Sequence, residues 1–317
     1  MIYKLLPNRV RRTYLGGNRI NAFEGTLVEA CPEDWTASVT FAVNSDNIIE
    51  NEGIGKTVDG ELITDIVGND EYPLLVKLLD SNERLVIQAH PTVEFSKAHL
   101  NCSYGKTECW YFLDCDEDAC VYAGFKKDVT RKMWEDVFDS QDAPLMLSYL
   151  HKIPVHRGDF LFIQGGLPHA IGKGCFMVEL QEPSDLMVVN EKYTPSGRKI
   201  ADSRLDMNMG RKLMFDVYDY TGYEYSELCA KFMPKKKEIN KNVFEILGKS
   251  LTDKFSMYEL CQSGSFEIKR KYAVALVVNG IGKINGKDIN KGERLLLKDE
   301  NTVCFCGNEE FRVIICY

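Results

Sequence analysis

Val155-His156-Arg157-Gly158-Asp159-Phe160-Leu161-Phe162-Ile163-Gln164-Gly165-Gly166-Leu167-Pro168-His169-Ala170 is the stretch from which the chain is read. An apolar, β-rich run, Phe160-Leu161-Phe162-Ile163, sits between Gly-Asp and Gly-Gly turn signals, and a histidine follows the second turn. Two upstream stretches share this design. Residues 84–88 run into Gln88-Ala89-His90-Pro91, and Gly105-Lys106-Thr107-Glu108 runs into the apolar residues 109–113. A lone histidine is most often a satisfied core or surface residue. Two histidines, a carboxylate and an amide, each beside a strand-like run, point instead to a divalent metal held inside a β-barrel. Imidazole suits zinc and similar first-row metals, while oxygen ligands leave room for water or a substrate oxygen.

These motifs, together with Leu75-Val76-Lys77-Leu78-Leu79-Asp80, Tyr14-Leu15-Gly16-Gly17 and the segment from Glu179 to Ser184-Asp185, resemble the class I mannose-6-phosphate isomerases. These are zinc enzymes of the cupin superfamily, and the likeness is to their short bacterial form. The resemblance implies a mainly β chain of two cupin-like jelly-roll barrels with a short helical insertion. It implies Gln88, His90, Glu108 and His169 as ligands of Zn2+, although the same donors would accept another divalent first-row metal. It also implies interconversion of mannose 6-phosphate and fructose 6-phosphate through an enediol(ate).

Composition agrees with a soluble enzyme. The 317 residues allow two packed domains, and 44% apolar with 27% charged residues is ordinary for a globular protein. A net charge of −8 argues against nucleic acid as a partner and leaves room for a local cationic pocket for a sugar phosphate. No apolar run approaches a membrane span, and the N-terminus lacks the apolar core of a secretory leader. The eleven cysteines include no Cys-x-x-Cys, and those in apolar runs, such as Cys304 and Cys306, read as small buried hydrophobes. A reducing cytoplasm is the expected location.

The metal-binding barrel is expected over residues 1–235 and a small C-terminal barrel over 236–317, with a homodimer as a possible assembly. Residues 38–43 read as a strand, and residues 72–79 as a helix or a buried strand. The insertion, about 128–150, reads as helical, with caps at Asp128 and Asp142, and so does 206–216. Asn-Gly and Gly-rich turns divide the last part into short strands. That part contains no histidine, so its role is expected to be structural.

Moving a proton between adjacent sugar carbons needs a base and stabilisation of the developing oxyanion. Lys106 stands two residues before Glu108, on the same face of an extended segment, where it can meet a sugar oxygen. Glu179 falls where the family has a carboxylate proposed to relay the proton. Gln181, Asp185 and Arg198 are further candidate substrate contacts. Two departures from the family stand out. Its arginine four residues after the aspartate is Val189 here, and the small hydroxyl residue before Ile-Gln is Val86. Lys192, Arg198, Lys199, Arg11 and Arg12 are candidate replacements for the lost cation. Three readings therefore stay open: the sugar-phosphate isomerase, an isomerase of an unphosphorylated sugar, and a metal-containing cupin that binds a sugar or a partner without turnover. An arginine restored at position 189 is expected to raise turnover if the missing cation is the only defect.

Overall fold

The computed structural model describes residues 1–44 and 49–317. Four sheets organise the chain. One six-stranded sheet runs in the order Arg9–Val10, Glu33–Thr36, Leu75–Asp80, Cys175–Gln181, Glu108–Cys115, Phe160–Ile163. A second joins Val188–Val189, Gln88–Ala89, His169–Ile171, Cys120–Lys126 and Gly222–Tyr223, with Leu150–Pro154 beside Cys120–Lys126. The segment at 72–79, open between helix and strand in the sequence, is resolved as the strand Leu75–Asp80, all of it buried. A strand covered on both faces reads as a continuous apolar run, which is why periodicity alone could not classify it.

The C-terminal sheets have seven strands and four strands, and all but one of these lie after residue 236. The exception is Ile2–Lys4, which pairs antiparallel with Arg294–Lys298 and so ties the chain's start to its end. The hairpin between Ile281–Ile284 and Lys287–Asn290 turns at Asn285-Gly286, with φ values of 45° and 81°. Both residues are left-handed there, as the favoured two-residue turn requires.

Helices cover one side of the second sheet. Arg131–Ser140 presents Trp134, Val137 and Phe138 to the core, and the Trp134 ring meets Phe125 edge-on at 5.0 Å. Its N-cap is Thr130, whose side chain accepts from the Met133 amide, in place of the expected Asp128; Asp142 caps Ala143–Ser148 as expected. A threonine immediately before the first helical residue is within reach of the third amide, which Asp128 is too far back to meet. The stretch 206–216 is not one helix. Asp202–Asp206 and Arg211–Asp216 are separated by left-handed Met207 and Asn208. The strand expected over 38–43 lies earlier, at Glu33–Thr36, because positive-φ Ala37 ends it.

All eleven cysteines are free, in agreement with the absence of a paired pattern, but Cys304 and Cys306 are exposed and not buried. They alternate on the strand Thr302–Gly307 with Val303 and Phe305, which take the core face and leave the thiols outward. Among the described residues no helix is long and apolar enough to cross a membrane.

Candidate active site

The ligand candidates converge because strand pairing aligns them. Gln88 and His169 are direct partners in one ladder, and Glu108 opens the strand Glu108–Cys115 in the other sheet. Single ligand atoms of His90, Glu108 and His169 lie within 4.8 Å of one another, all three residues buried. His90 Nε2 stands 3.2 Å from Glu108 Oε2, and His169 Nε2 stands 3.5 Å from Glu108 Oε1. Each ring is oriented from behind: His90 Nδ1 donates to the Leu186 carbonyl at 2.8 Å and His169 Nδ1 to the Leu167 carbonyl at 2.9 Å. That tautomer leaves both Nε2 lone pairs aimed at the carboxylate, as metal-binding histidines require.

These donors fit a zinc ion. His90 Nε2 and Glu108 Oε2 are buried without a hydrogen-bond partner, an arrangement that is costly unless something else occupies the space between them. Burial, with Lys106 nearby, holds His90 neutral by lowering its pKa to about 3, and burial lowers that of His169 as well. Burial acts to raise Glu108, but the neighbouring His90 ring and the Lys106 ammonium outweigh it and hold its pKa well below the ordinary carboxylate value. Two neutral imidazoles and one carboxylate are the protonation states a metal needs. The Gln88 amide nitrogen lies 3.4 Å from His169 Nε2, and turning the amide over presents its oxygen to the same space.

A polar row crosses the other sheet beside the ligands. Trp35 pairs with Lys77, Lys77 with Glu179, and Glu179 with Trp110, so all four side chains share one face. Lys77 Nζ is 3.1 Å from Glu179, 3.7 Å from Glu33 and 5.0 Å from the Trp35 ring centre. Glu33 also receives the Tyr14 hydroxyl at 2.7 Å and the Trp35 indole at 2.6 Å. Burial raises Glu179 to about 7, with Lys77 opposing it, so this carboxyl titrates near neutrality. Sequence reading took Lys77 only as part of a family motif. A single lysine inside Leu74-Leu75-Val76-Lys77-Leu78-Leu79 was the available signal, since a charge in a buried strand needs a partner.

Lys106, Glu108, Gln88, Lys77 and Glu179 border one cleft, together with Arg12, Arg84, Val86, Met187, Thr194 and Pro195. Its volume is about 40 Å³. A larger cleft of about 910 Å³, bordered by Arg19, Arg157 and Arg312, touches none of the candidate ligands.

Three expected substrate contacts lie elsewhere. Asp185 is locked to Arg12 at 2.7 and 2.9 Å and accepts the Val43 amide, so its oxygens are already used. Gln181 is fully buried, and its amide donates to the carbonyls of Glu182 and Ser184. Arg198 is exposed on the turn 194–198 and does not border the cleft. Of the other candidate cations, Lys192 lies over the Phe138 ring, Lys199 pairs with Asp202 and Arg11 with Glu29; only Arg12 reaches the cleft.

Sequence reading missed Arg84, which grips Glu191 through both oxygens at 2.6 and 2.7 Å while Glu191 also takes the Ile87 amide. That pair fixes the strand leading into Gln88. Val189 stands directly opposite Gln88 in the ladder, yet it is fully buried in an apolar cluster with Val86, Met187 and Leu205 and does not border the cleft.

No protein-family model matches the chain. It is similar to mannose-6-phosphate isomerase ManA of Bacillus subtilis (strain 168), 29% identical over 241 residues, which is 72% of this chain and 70% of the relative. Its fold matches the crystal structure of the mannose 6-phosphate isomerase from Bacillus subtilis over 100% of this chain and 99% of the other, with a TM-score of 0.77 and 21% identity. A zinc-bound mannose 6-phosphate isomerase matches over 100% of this chain and 99% of its own, with a TM-score of 0.73 and 12% identity.

Proposed function

We infer that this chain, a mannose-6-phosphate isomerase in sequence likeness and in fold, interconverts mannose 6-phosphate and fructose 6-phosphate through an enediol(ate), using zinc. The single observation that carries the reading is the buried His90, Glu108 and His169 constellation, whose Glu108 borders the same cleft as Lys106 and Glu179. His90, Glu108 and His169 hold the metal, and Gln88 adds an amide oxygen. Bound zinc supplies a Lewis acid for the sugar oxygens where negative charge develops.

The chain's own side chains do the proton chemistry. Glu179, titrating near neutrality, takes the proton from one sugar carbon and returns it to its neighbour. Lys77 holds Glu179 in place from across the strand pair. Lys106, 4% exposed, donates to the sugar oxygen that gains charge. Leu79, Leu85 and Ile171, buried apolar residues that border the cleft, exclude water from the intermediate.

An unphosphorylated substrate is the second reading, favoured by the apolar wall that Val86 and Met187 give the cleft. The reading also divides the chain at 235/236, supported by the two C-terminal sheets, and places the protein in the cytoplasm, supported by its free cysteines. A homodimer is part of it, to be read by sedimentation. The deciding experiment is turnover of mannose 6-phosphate by zinc-loaded and metal-stripped protein, beside a panel of free sugars. Metal-dependent turnover of the phosphate ester is expected. Turnover of free sugars alone would move the assignment to the second reading, and none at all would leave only a sugar- or partner-binding cupin.

A further inference from the structure

We propose that Lys254, supplied by the C-terminal barrel, is a positioning residue for the loop Gly105-Lys106-Thr107-Glu108, so that the histidine-free barrel completes the active site. The inference rests on the isomerase reading for its kinetic consequence and on geometry for its premise. Glu182 is 4% exposed and lies under this loop. Its carboxylate accepts the Thr107 amide at 2.8 Å and the Gly105 amide at 3.3 Å, one on each side of Lys106. The Lys106 amide between them is fixed by the Pro91 carbonyl at 3.1 Å, immediately after His90. Ser184 Oγ donates to the Gly105 carbonyl at 2.5 Å. The backbone carrying Lys106 into Glu108 is therefore held at each amide.

The partner of Glu182 is Lys254. Its Nζ lies 2.6 Å from Glu182 and 2.9 Å from Thr107 Oγ1, and it is the only cation paired with Glu182 among the described residues. Lys254 belongs to the connection between Val243–Leu247 and Met257–Cys261 in the seven-stranded sheet. Without it the buried carboxylate is left unpaired and turns toward water, away from the two amides it accepts. The loop then loses its anchor at the Gly105 and Thr107 amides. Displacement of a reacting group by about 1 Å costs on the order of 100-fold in rate. Lys106 acts on charge present only in the transition state, so the loss falls on kcat and not on KM.

The test compares full-length wild type, Lys254→Met, Lys254→Arg and Glu182→Gln, each loaded with zinc for kinetics and with cobalt(II) for visible absorption, which reads the geometry around Glu108 without needing turnover. Lys254→Met and Glu182→Gln are expected to lower kcat at least about tenfold with KM within about threefold. Their cobalt bands are expected to shift, while Lys254→Arg keeps kcat within about threefold and the wild-type spectrum. Wild-type kcat and an unchanged cobalt spectrum in Lys254→Met would overturn the proposal. So would a Lys254→Met chain that fails to fold while folded Glu182→Gln retains full kcat and the wild-type spectrum. If wild type turns over no mannose 6-phosphate, the isomerase reading fails, and the cobalt spectra still decide the role of Lys254.

Discussion

Removing the charge of Lys77 tests the proton-relay assignment most directly. In Lys77→Met the side chain keeps its length and still fills the space beside Trp35, but Glu179 loses its only hydrogen bond among the described residues. Glu33 is less affected, because Arg12 at 3.3 Å, Tyr14 and Trp35 remain around it. Breaking a buried pair by removing one partner costs about 3–5 kcal/mol, which corresponds to about 2–4 pH units in the titration of the group left behind. Burial already raises Glu179 to about 7, with Lys77 opposing, so removing Lys77 shifts its titration further upward. At pH 7 the ionised fraction then falls at least about 50-fold, and kcat is expected to fall with it. The acid limb of the pH profile moves toward alkaline pH by about 2 units or more. Because the folded carboxyl binds its proton more tightly than the unfolded one, its contribution to stability is present at low pH and lost as pH rises through the folded value. The variant's melting temperature is therefore expected to fall more steeply than wild type above neutrality. The assay is a coupled isomerase measurement from pH 5.5 to 10 on zinc-loaded protein. A folded, metal-replete Lys77→Met enzyme whose acid limb coincides with that of wild type would refute Glu179 as the base.

His169→Ala is expected to weaken zinc binding by more than about 100-fold, the upper range for loss of an outer-shell partner alone; full zinc by elemental analysis would remove His169 from the ligand set. Burial pushes the Asp185 carboxyl up, but Arg12 holds it well below the ordinary 3.8, so its contribution to stability is complete above that pH and disappears as pH falls below it. Wild type should therefore lose melting temperature between pH 5 and pH 3 more steeply than Asp185→Asn, and equal slopes would contradict the Arg12–Asp185 lock. Val189→Arg places a charge in an apolar cluster and overpacks it by about 1–3 kcal/mol, so a lower melting temperature with no gain in turnover is expected. A stable variant with higher turnover on mannose 6-phosphate would show that the missing cation is the only defect and that the cluster yields to it.

The candidate metal ligands were legible because their chemistry is local. His90 and His169 each follow an apolar run and a turn, and the Asn285-Gly286 hairpin was legible for the same reason. Glu179, Lys106 and Glu108 were named from the sequence and do reach one cleft. Asp185, Gln181 and Arg198 were named too, but a lock to Arg12, two backbone carbonyls and an exposed turn take them out of it. Cys304 and Cys306 show the limit of pattern reading. Alternation says that neighbours in a strand face opposite ways, not which way is in.

By itself, then, the sequence determined a β-rich chain with a buried divalent-metal site, since donor type, turn signals and strand-like runs are properties of short segments. Only the tertiary structure decided which charges neutralise one another. Lys77 meets Glu179 across 102 positions of chain, Lys254 meets Glu182 across 72 and Arg12 meets Asp185 across 173. Ion pairs of that separation depend on strand register and on the packing of one sheet against another. Burial then fixes what they do, because only out of water does a lysine at 3.1 Å set the proton affinity of a carboxylate.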